Sequence, residues 1–166
     1  MATRSSTAAS PPRGRVGPAV RLLATGLGIG YVPWAPGTAG SLLGIALCLP
    51  LLSLSEPVYF GAALCLTAVA VWVAGRMAAE LGQADPQPVI IDEIVGMLWA
   101  AIALPPSLYD LTAVFLLFRI FDGVKPAPIS WLERVPGGAG IVADDVVAGL
   151  LARILWWLLK VNFDFL

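Results

Sequence analysis

The stretch IIDEIVGMLWAAIAL, residues 90–104, decides how this chain folds, because two adjacent carboxylates, Asp92 and Glu93, stand at the start of an otherwise apolar run. An ionised carboxylate that is buried near lipid without a partner costs on the order of several kcal/mol. A positive partner is therefore expected, and a bound metal ion is the obvious one. Three more acids lie in or at the ends of two further apolar stretches: Asp122, Asp144 and Asp145.

The composition is that of an integral membrane protein. Of the 166 residues, 58% are hydrophobic and 13% are charged, against roughly 25% charged in an ordinary soluble domain. The formal net charge of −1 gives no basic field, which argues against nucleic acid as a partner. Because the chain has no histidine, mechanisms with a histidine base or a histidine-ligated metal are excluded. Cys48 and Cys65 lie in apolar runs and are predicted to be buried, unreactive thiols.

Proline, glycine and charged clusters divide the apolar sequence into about five predicted helices. The glycine-rich stretch 19–32 is interpreted as a short or interfacial segment, and residues 1–18 as a flexible cytoplasmic tail. The expected fold is all-α, a multi-pass helical membrane protein whose single domain covers residues 19–166. The helices are predicted at 38–54, 57–81, 89–104, 108–121 and 140–161.

The positions of the basic residues predict how these helices are oriented across the membrane. If the tail is cytoplasmic and the crossings begin at residue 38, most cations fall on the cytoplasmic side, as the positive-inside rule requires. The same count places both acid pairs and Asp122 at the cytoplasmic ends of their helices, so a single carboxylate-lined site is predicted at that face. The cytoplasmic cations are Arg76, Arg119, Lys125 and Arg134, and those on the other side are Arg153 and Lys160.

The segment APGTAGS, residues 35–41, precedes the first long helix. Thr38 is predicted to cap that helix, and Thr38 and Ser41 are the candidate substrate-binding hydroxyls. A helix N-terminus behind such a loop attracts phosphate, although a capped turn without any ligand also explains the segment.

A second motif, FRIFDGVKPAP, residues 118–128, holds Arg119 and Asp122 on one helix face, with Lys125 just beyond. A structural salt bridge would explain the pair. Alternatively, Arg119 and Lys125 bind an anionic group that also touches the metal, since arginine offers a bidentate fork and lysine a point charge.

The two acid pairs have an alternative explanation too, because carboxylates at helix starts stabilise the helix dipole. That role does not explain why both pairs and Asp122 meet at one face. Gly96 and Gly149 lie one turn below Asp92 and Asp145 and would let the helices approach closely. Hard oxygen ligands favour Mg²⁺, with Mn²⁺ as a substitute, and such an ion commonly completes its shell with substrate phosphate. Phosphoryl transfer is the chemistry that this predicts.

Four ordered blocks resemble the bacterial phosphatidylglycerophosphatase A family, and the likeness covers roughly residues 20–160. The blocks are PGTAGS (36–41), IIDEIVGM (90–97), FRIFDGVKPAPI (118–129) and GGAGIVADDVVAG (137–149). The resemblance implies a helical, Mg²⁺-dependent phosphatase of the bacterial inner membrane, which agrees with the multi-pass topology and the cytoplasmic site predicted above. Its expected reaction converts the membrane lipid phosphatidylglycerophosphate to phosphatidylglycerol and phosphate.

Carried over residue by residue, the resemblance assigns metal binding to five acids and substrate contact to two cations. The predicted metal ligands are Asp92, Glu93, Asp122, Asp144 and Asp145, and the cations are Arg119 and Lys125. The mechanistic hypothesis is direct attack of water assisted by Mg²⁺, with Arg119 neutralising charge and Asp144 or Asp145 as general base. An aspartyl-phosphate intermediate is the alternative mechanism.

Two other functions compete with this prediction. A membrane cation transporter or channel would also place carboxylates within a bilayer, but it would spread them through the membrane depth. A CDP-alcohol phosphotransferase would need a different aspartate spacing, since Asp122-Gly123 is followed here by Val-Lys-Pro.

Overall fold

The computed structural model describes residues 15–163, and this range is entirely helical, without a strand. The all-α prediction is confirmed. The described range holds seven α-helices rather than five, because two short helices flank the predicted long ones. Their bounds are α1 (Pro18–Ala24), α2 (Pro36–Leu51), α3 (Glu56–Leu81), α4 (Ile91–Ala100), α5 (Leu108–Val124), α6 (Ile129–Leu132) and α7 (Gly138–Asn162), with a 3-10 turn at Ile29–Tyr31.

The predicted tail, residues 1–18, lies largely outside the described residues. Its last part is within them: Val16 is buried, and its backbone N–H donates to Glu80 Oε2 over 2.6 Å. Pro18 then opens α1, where proline is favoured because the first helical N–H needs no partner.

Several helices begin or end at residues other than those predicted, because of the backbone conformation there. The first long helix begins at Pro36 with Ala35 as its N-cap in the left-handed region, so the prediction of Thr38 as the cap is wrong. The helix α4 ends at Ala100 rather than at residue 104, and Ala103 just beyond it has a positive φ of 52°. The helix α5 continues to Val124, where Lys125 at φ 45° turns the chain before Pro126.

The short helix α4 is the centre of the bundle. Every one of its residues except Glu93 is buried. It packs chiefly against α7 and α2, with α3 on a further side, while α5 packs on α7 and α1 on α3. The acidic start of α4 is therefore enclosed by its neighbours on several sides.

Close approach of α4 and α7 depends on two glycines, as predicted. A Cβ atom added to Gly149 would overlap the carbonyl oxygen of Gly96, and one added to Gly96 would lie 2.9 Å from the carbonyl oxygen of Asp145. The backbones therefore touch one turn below the acids, and Asp92 and Asp145 are brought to the same level.

We expect Gly149→Ala to destabilise the protein by about 1–3 kcal/mol, because a methyl group there must push two helix backbones apart. Thermal unfolding of the purified protein in detergent measures this. The matched control is Gly61→Ala on α3, where an added Cβ has nothing within 4 Å and alanine is the better helix former. Equal melting temperatures for the two variants would contradict the close-contact explanation.

One helix of the described range, α3, is long and apolar enough to cross a membrane, with 26 residues and a mean hydropathy of 1.9 over a window of 18 of them. The helix α2 is apolar but shorter. Both features are compatible with membrane association. Cys48 is buried as predicted, whereas Cys65 is exposed on α3, so the burial predicted for Cys65 is wrong. Apolar side chains are also exposed along α3: Val58, Phe60, Leu64, Val69 and Trp72.

The far end of the bundle, where α5 begins and α7 ends, has its own polar contacts. Asp110 accepts hydrogen bonds from Trp156 Nε1 at 2.8 Å and from Lys160 Nζ at 2.9 Å. Arg153 donates to the carbonyl oxygens of Ile102 at 2.7 Å and of Ala103 at 3.1 Å. These bonds tie the α4–α5 connection to α7 and leave the opposite end of the bundle for the acids.

Candidate metal and phosphate site

The acids predicted to converge do line one cavity, of about 280 Å³, which we call the acid cavity. Three helix segments supply them: the start of α4, the end of α5 and the second turn of α7. Helix ends meet here because α4 and α7 run from this level while α5 runs toward it. The five predicted acids in the wall are Asp92, Glu93, Asp122, Asp144 and Asp145.

Three of these acids form a tight cluster within the cavity. Asp92, Glu93 and Asp145 each offer a carboxylate oxygen, and these atoms lie within 4.8 Å of one another. Asp92 is 6% exposed and Asp145 is 4% exposed. Asp92 Oδ1 and Glu93 Oε2 are buried without a hydrogen-bond partner among the described residues. Such oxygens are costly unless a cation satisfies them, and a hard cation such as Mg²⁺ fits a set of oxygen donors.

The fourth acid, Asp122, is held by arginine. Arg119 Nη1 lies 2.9 Å from Asp122 Oδ2 and also donates to Ser41 Oγ at 3.3 Å. The Ser41 hydroxyl in turn donates to the Gly37 carbonyl oxygen at 2.8 Å. The guanidinium thus joins α5 to the first turns of α2 at the edge of the acids.

The glycine at position 37 allows the N-terminus of α2 to approach the acids closely. A Cβ atom there would lie 2.5 Å from Glu93 Oε1 and 3.3 Å from Arg119 Nη1. The N-terminus of α2, which carries the positive end of the helix dipole, therefore contacts the acid cluster directly.

The fifth acid, Asp144, is held by lysine. Lys125 Nζ lies 2.8 Å from Asp144 Oδ2 and 2.9 Å from Glu133 Oε1. Burial alone would lower the pKa of Lys125, but hydrogen bonds and opposite charges from these two carboxylates raise it above the ordinary lysine value. The lysine is thus a permanent cation. The other oxygen of Asp144 accepts the Asp145 backbone N–H at 3.0 Å.

The five acids therefore divide into two groups. Asp92, Glu93 and Asp145 face one another without a cation, whereas Asp122 and Asp144 each have a basic partner. This arrangement can hold a metal ion in the first group and a phosphate between the metal and the two cations.

Two acids near the predicted site were missed by the sequence interpretation. Asp85 lines the acid cavity from the α3–α4 connection, and Glu133 pairs with Lys125 from the segment after α6. Both lie outside the long apolar helices, and the only local signal at Asp85 is its position before a proline. Of the predicted hydroxyls, Ser41 is buried beside Arg119. Thr38 is half-buried in the first turn of α2 and is absent from the cavity wall.

A protein-family model described as phosphatidylglycerophosphatase A matches residues 22–160. The chain belongs to the phosphatidylglycerophosphatase A family. All four sequence blocks, and every acid and cation discussed above, fall inside the matched range. No solved structure matches the chain.

Individual relatives agree with the family assignment. Phosphatidylglycerophosphatase A of Escherichia coli K12 is 37% identical over 140 residues, which is 82% of this chain and 81% of the relative. The enzyme of the same name from Haemophilus influenzae is 37% identical over 149 residues, 84% of this chain and 91% of the relative. A Bacteroides thetaiotaomicron protein proposed to be a phosphatidylinositol-3-phosphatase is 38% identical over 142 residues, 81% of this chain and 89% of the relative. These relatives support a phosphatase, and nothing in them supports a cation transporter or channel.

Proposed function

We propose that this protein hydrolyses the terminal phosphate of phosphatidylglycerophosphate, giving phosphatidylglycerol and inorganic phosphate, with Mg²⁺ as cofactor. The observation that carries the proposal is the trio Asp92, Glu93 and Asp145 beside the cations Arg119 and Lys125. Within the trio, one buried oxygen of Asp92 and one of Glu93 have no partner among the described residues. The relatives named for phosphatidylglycerophosphate support this choice of lipid.

Charge in the acid cavity makes the metal necessary. Six carboxylates line it, five at the predicted positions and Asp85. Of the two cations, Lys125 lines the cavity, and Arg119 lies behind the wall, paired with Asp122. A phosphomonoester is itself a dianion near neutral pH, so repulsion would keep it out unless cations enter with it. Asp92, Glu93 and Asp145 would hold Mg²⁺. When bound, the ion would neutralise these carboxylates, orient the phosphoryl oxygens and favour deprotonation of the attacking water.

The protein side chains have separate roles in this proposal. Arg119 would pair with two phosphoryl oxygens through its planar fork, while the Ser41 hydroxyl and Asp122 fix its position. Asp144 would accept a proton from water as the water oxygen bonds to phosphorus and the bond from phosphorus to the glycerol oxygen breaks. Lys125, 2.8 Å from Asp144, would stay charged and stabilise the negative charge that develops on the leaving oxygen, which takes up the proton that Asp144 accepted from water. The products are an alcohol and inorganic phosphate, so atoms and protons balance.

Attack by a protein carboxylate is the alternative mechanism. It would form an aspartyl phosphate, which acid quench or borohydride reduction traps. A trapped phosphoprotein would overturn direct attack by water without affecting the lipid assignment.

We also propose that the protein is a multi-pass protein of the bacterial inner membrane, with the acid cavity at the cytoplasmic face. Support comes from the length and hydropathy of α3 and from the exposed apolar side chains along it. The basic residues Arg76 and Arg134 lie at the same end of the bundle as the acids, as the positive-inside rule requires of a cytoplasmic face.

Removing the metal should abolish activity. We expect purified protein in detergent to release phosphate from phosphatidylglycerophosphate with Mg²⁺, and to lose at least about 100-fold of that rate in EDTA, since several kcal/mol of charge stabilisation depend on the ion. Added Mg²⁺ should restore the rate and Mn²⁺ should substitute. Phosphatidylinositol 3-phosphate is the comparison substrate. Release that continues unchanged in EDTA would contradict the metal site, and preference for the inositol lipid would contradict the choice of substrate.

A further inference from the structure

A second cavity, of about 370 Å³, adjoins the acid cavity and shares part of its wall. The common residues are Asp85, Lys125, Ile141 and Asp144. The remainder of the second cavity is formed by Ala84, by residues 133–137 and by Gly140. A ligand with two polar groups could therefore occupy both cavities at once.

Arg134 is the cation that lines the second cavity but not the acid cavity. It lines the wall and is exposed, and its side chain makes no hydrogen bond or ion pair with any residue from 15 to 163, while its backbone N–H donates to the Trp131 carbonyl oxygen at 3.4 Å. The other cation in the wall, Lys125, already pairs with Glu133 and Asp144. Arg134 thus keeps its full guanidinium fork for an anion, which it would bind bidentately.

The first turn of α7 adds to the positive electrostatic potential in the second cavity. Gly137 and Gly140 both line the cavity, and α7 is 25 residues long, so the positive end of its dipole faces the same space. Within residues 15–163, Asp85 is the acid of this wall that has no ion pair, and it lies on the side shared with the acid cavity. The anion-binding character of the second cavity therefore lies on the Arg134 side, away from the metal ligands.

The proposed substrate has a matching arrangement, and this inference rests on the proposed function. Phosphatidylglycerophosphate carries a terminal phosphomonoester and, one glycerol unit away, a phosphodiester that joins the headgroup to diacylglycerol. We infer that the second cavity binds the phosphodiester through Arg134 while the phosphomonoester enters the acid cavity. Arg134 is then a specificity residue that favours phosphomonoesters carried on a polyol over a phosphate attached directly to diacylglycerol.

Apolar side chains beside Arg134 fit the lipid end of such a substrate. Trp131 is 61% exposed and lies three residues before Arg134, and Val135, which directly follows Arg134, is 41% exposed. Exposed tryptophan next to a cation is typical of protein segments that sit at the membrane interface. The phosphodiester would thus be bound close to where the acyl chains leave the protein.

The test compares Arg134→Gln with Arg76→Gln, which removes another exposed arginine whose side chain has no ion pair or hydrogen bond within residues 15–163, but one that lies outside both cavities. For Arg134→Gln we expect kcat/KM on phosphatidylglycerophosphate to fall about 10- to 100-fold, mainly through KM, as for loss of one charge-assisted hydrogen-bond pair. The loss on phosphatidate, which has no phosphodiester, should be much smaller. Arg134→Lys should recover part of the activity, and Arg76→Gln should resemble the wild type.

A binding measurement decides the inference without turnover. Short-chain phosphatidylglycerol keeps the phosphodiester and lacks the phosphomonoester, so wild type should bind it and Arg134→Gln should bind it about tenfold or more weakly by calorimetry. Equal binding by the two proteins, or equal losses on phosphatidylglycerophosphate and phosphatidate, would overturn the role of Arg134. Failure of wild type to hydrolyse phosphatidylglycerophosphate, with Arg134-dependent binding intact, would instead count against the proposed reaction and support the phosphodiester site.

Discussion

Replacing Asp145 with asparagine should lower the Mg²⁺-dependent hydrolysis of phosphatidylglycerophosphate by at least about 100-fold, because several kcal/mol of transition-state stabilisation depend on the bound ion. Asp145 is 4% exposed and shares a 4.8 Å cluster with Asp92 and Glu93. An amide retains the shape of the side chain but removes the charge that attracts the metal. Asp92→Asn should have an effect of the same size for the same reason.

Melting temperatures with and without Mg²⁺ distinguish loss of the metal site from a general loss of folding. Without metal, Asp145→Asn removes one of three mutually repelling buried carboxylates, so the metal-free variant should melt at the wild-type temperature or above it. The wild type should gain stability when Mg²⁺ is added, since the ion binds only the folded state, and the variant should gain much less. A variant that still responds to Mg²⁺ as the wild type does would contradict the assignment of Asp145.

The matched control is Asp110→Asn at the other end of the bundle. Asp110 is equally buried, at 3% exposed, but it is bonded to Trp156 and Lys160 rather than facing other acids. Its amide variant should lose stability and keep the response to Mg²⁺. If both variants lost activity and the metal response in parallel, a fold-wide effect would replace the metal-site explanation.

Replacing Arg119 with glutamine should reduce kcat/KM about 100-fold or more, as does removal of a single preorganised donor to the charge that develops in a transition state. The geometry leaves an alternative open, since the 2.9 Å contact with Asp122 is also that of a structural salt bridge. The double variant Arg119→Gln/Asp122→Asn distinguishes the two. Neutralising both partners should restore stability lost by the single variant and leave activity low, if Arg119 binds phosphate.

Two further variants sharpen this test. Arg119→Lys keeps the charge but loses the fork, so its activity should lie between those of wild type and Arg119→Gln. Ser41→Ala removes one hydrogen bond of 3.3 Å from the same nitrogen and should cost less than about tenfold in kcat/KM. Activity that recovers with stability in the double variant would show that Arg119 serves the fold and not the phosphate.

The convergence of the acids was accessible from sequence because it depends on topology. Successive helices alternate direction, so acids at the start of α4, the end of α5 and the start of α7 must meet at one level. The glycines one turn below them indicated close packing for the same reason. Neither inference needed the crossing angles of the helices.

The division of the acids into a trio without basic partners and two ion pairs was not accessible from sequence. Neighbouring side chains on a helix diverge by about 100°, and which of Asp144 and Asp145 faces the trio depends on how α7 is rotated against α4. Asp85 and Glu133 were missed because connecting segments carry no periodic pattern that fixes their position. The capping prediction for Thr38 was wrong because Pro36 starts α2 earlier than the side-chain preferences suggest.

The enclosure of α4 has a consequence for how the protein is made. Ten residues of helix span only about 15 Å, half of the roughly 30 Å hydrocarbon layer, and this segment begins with two acids. Such a segment has no favourable place in a membrane until its neighbours surround it. One of its main neighbours, α7, begins only at Gly138 and therefore leaves the ribosome well after α4. We therefore expect chains truncated before residue 138 to leave α4 unprotected and open to quality-control proteolysis, so that biogenesis of the site awaits the synthesis of α7.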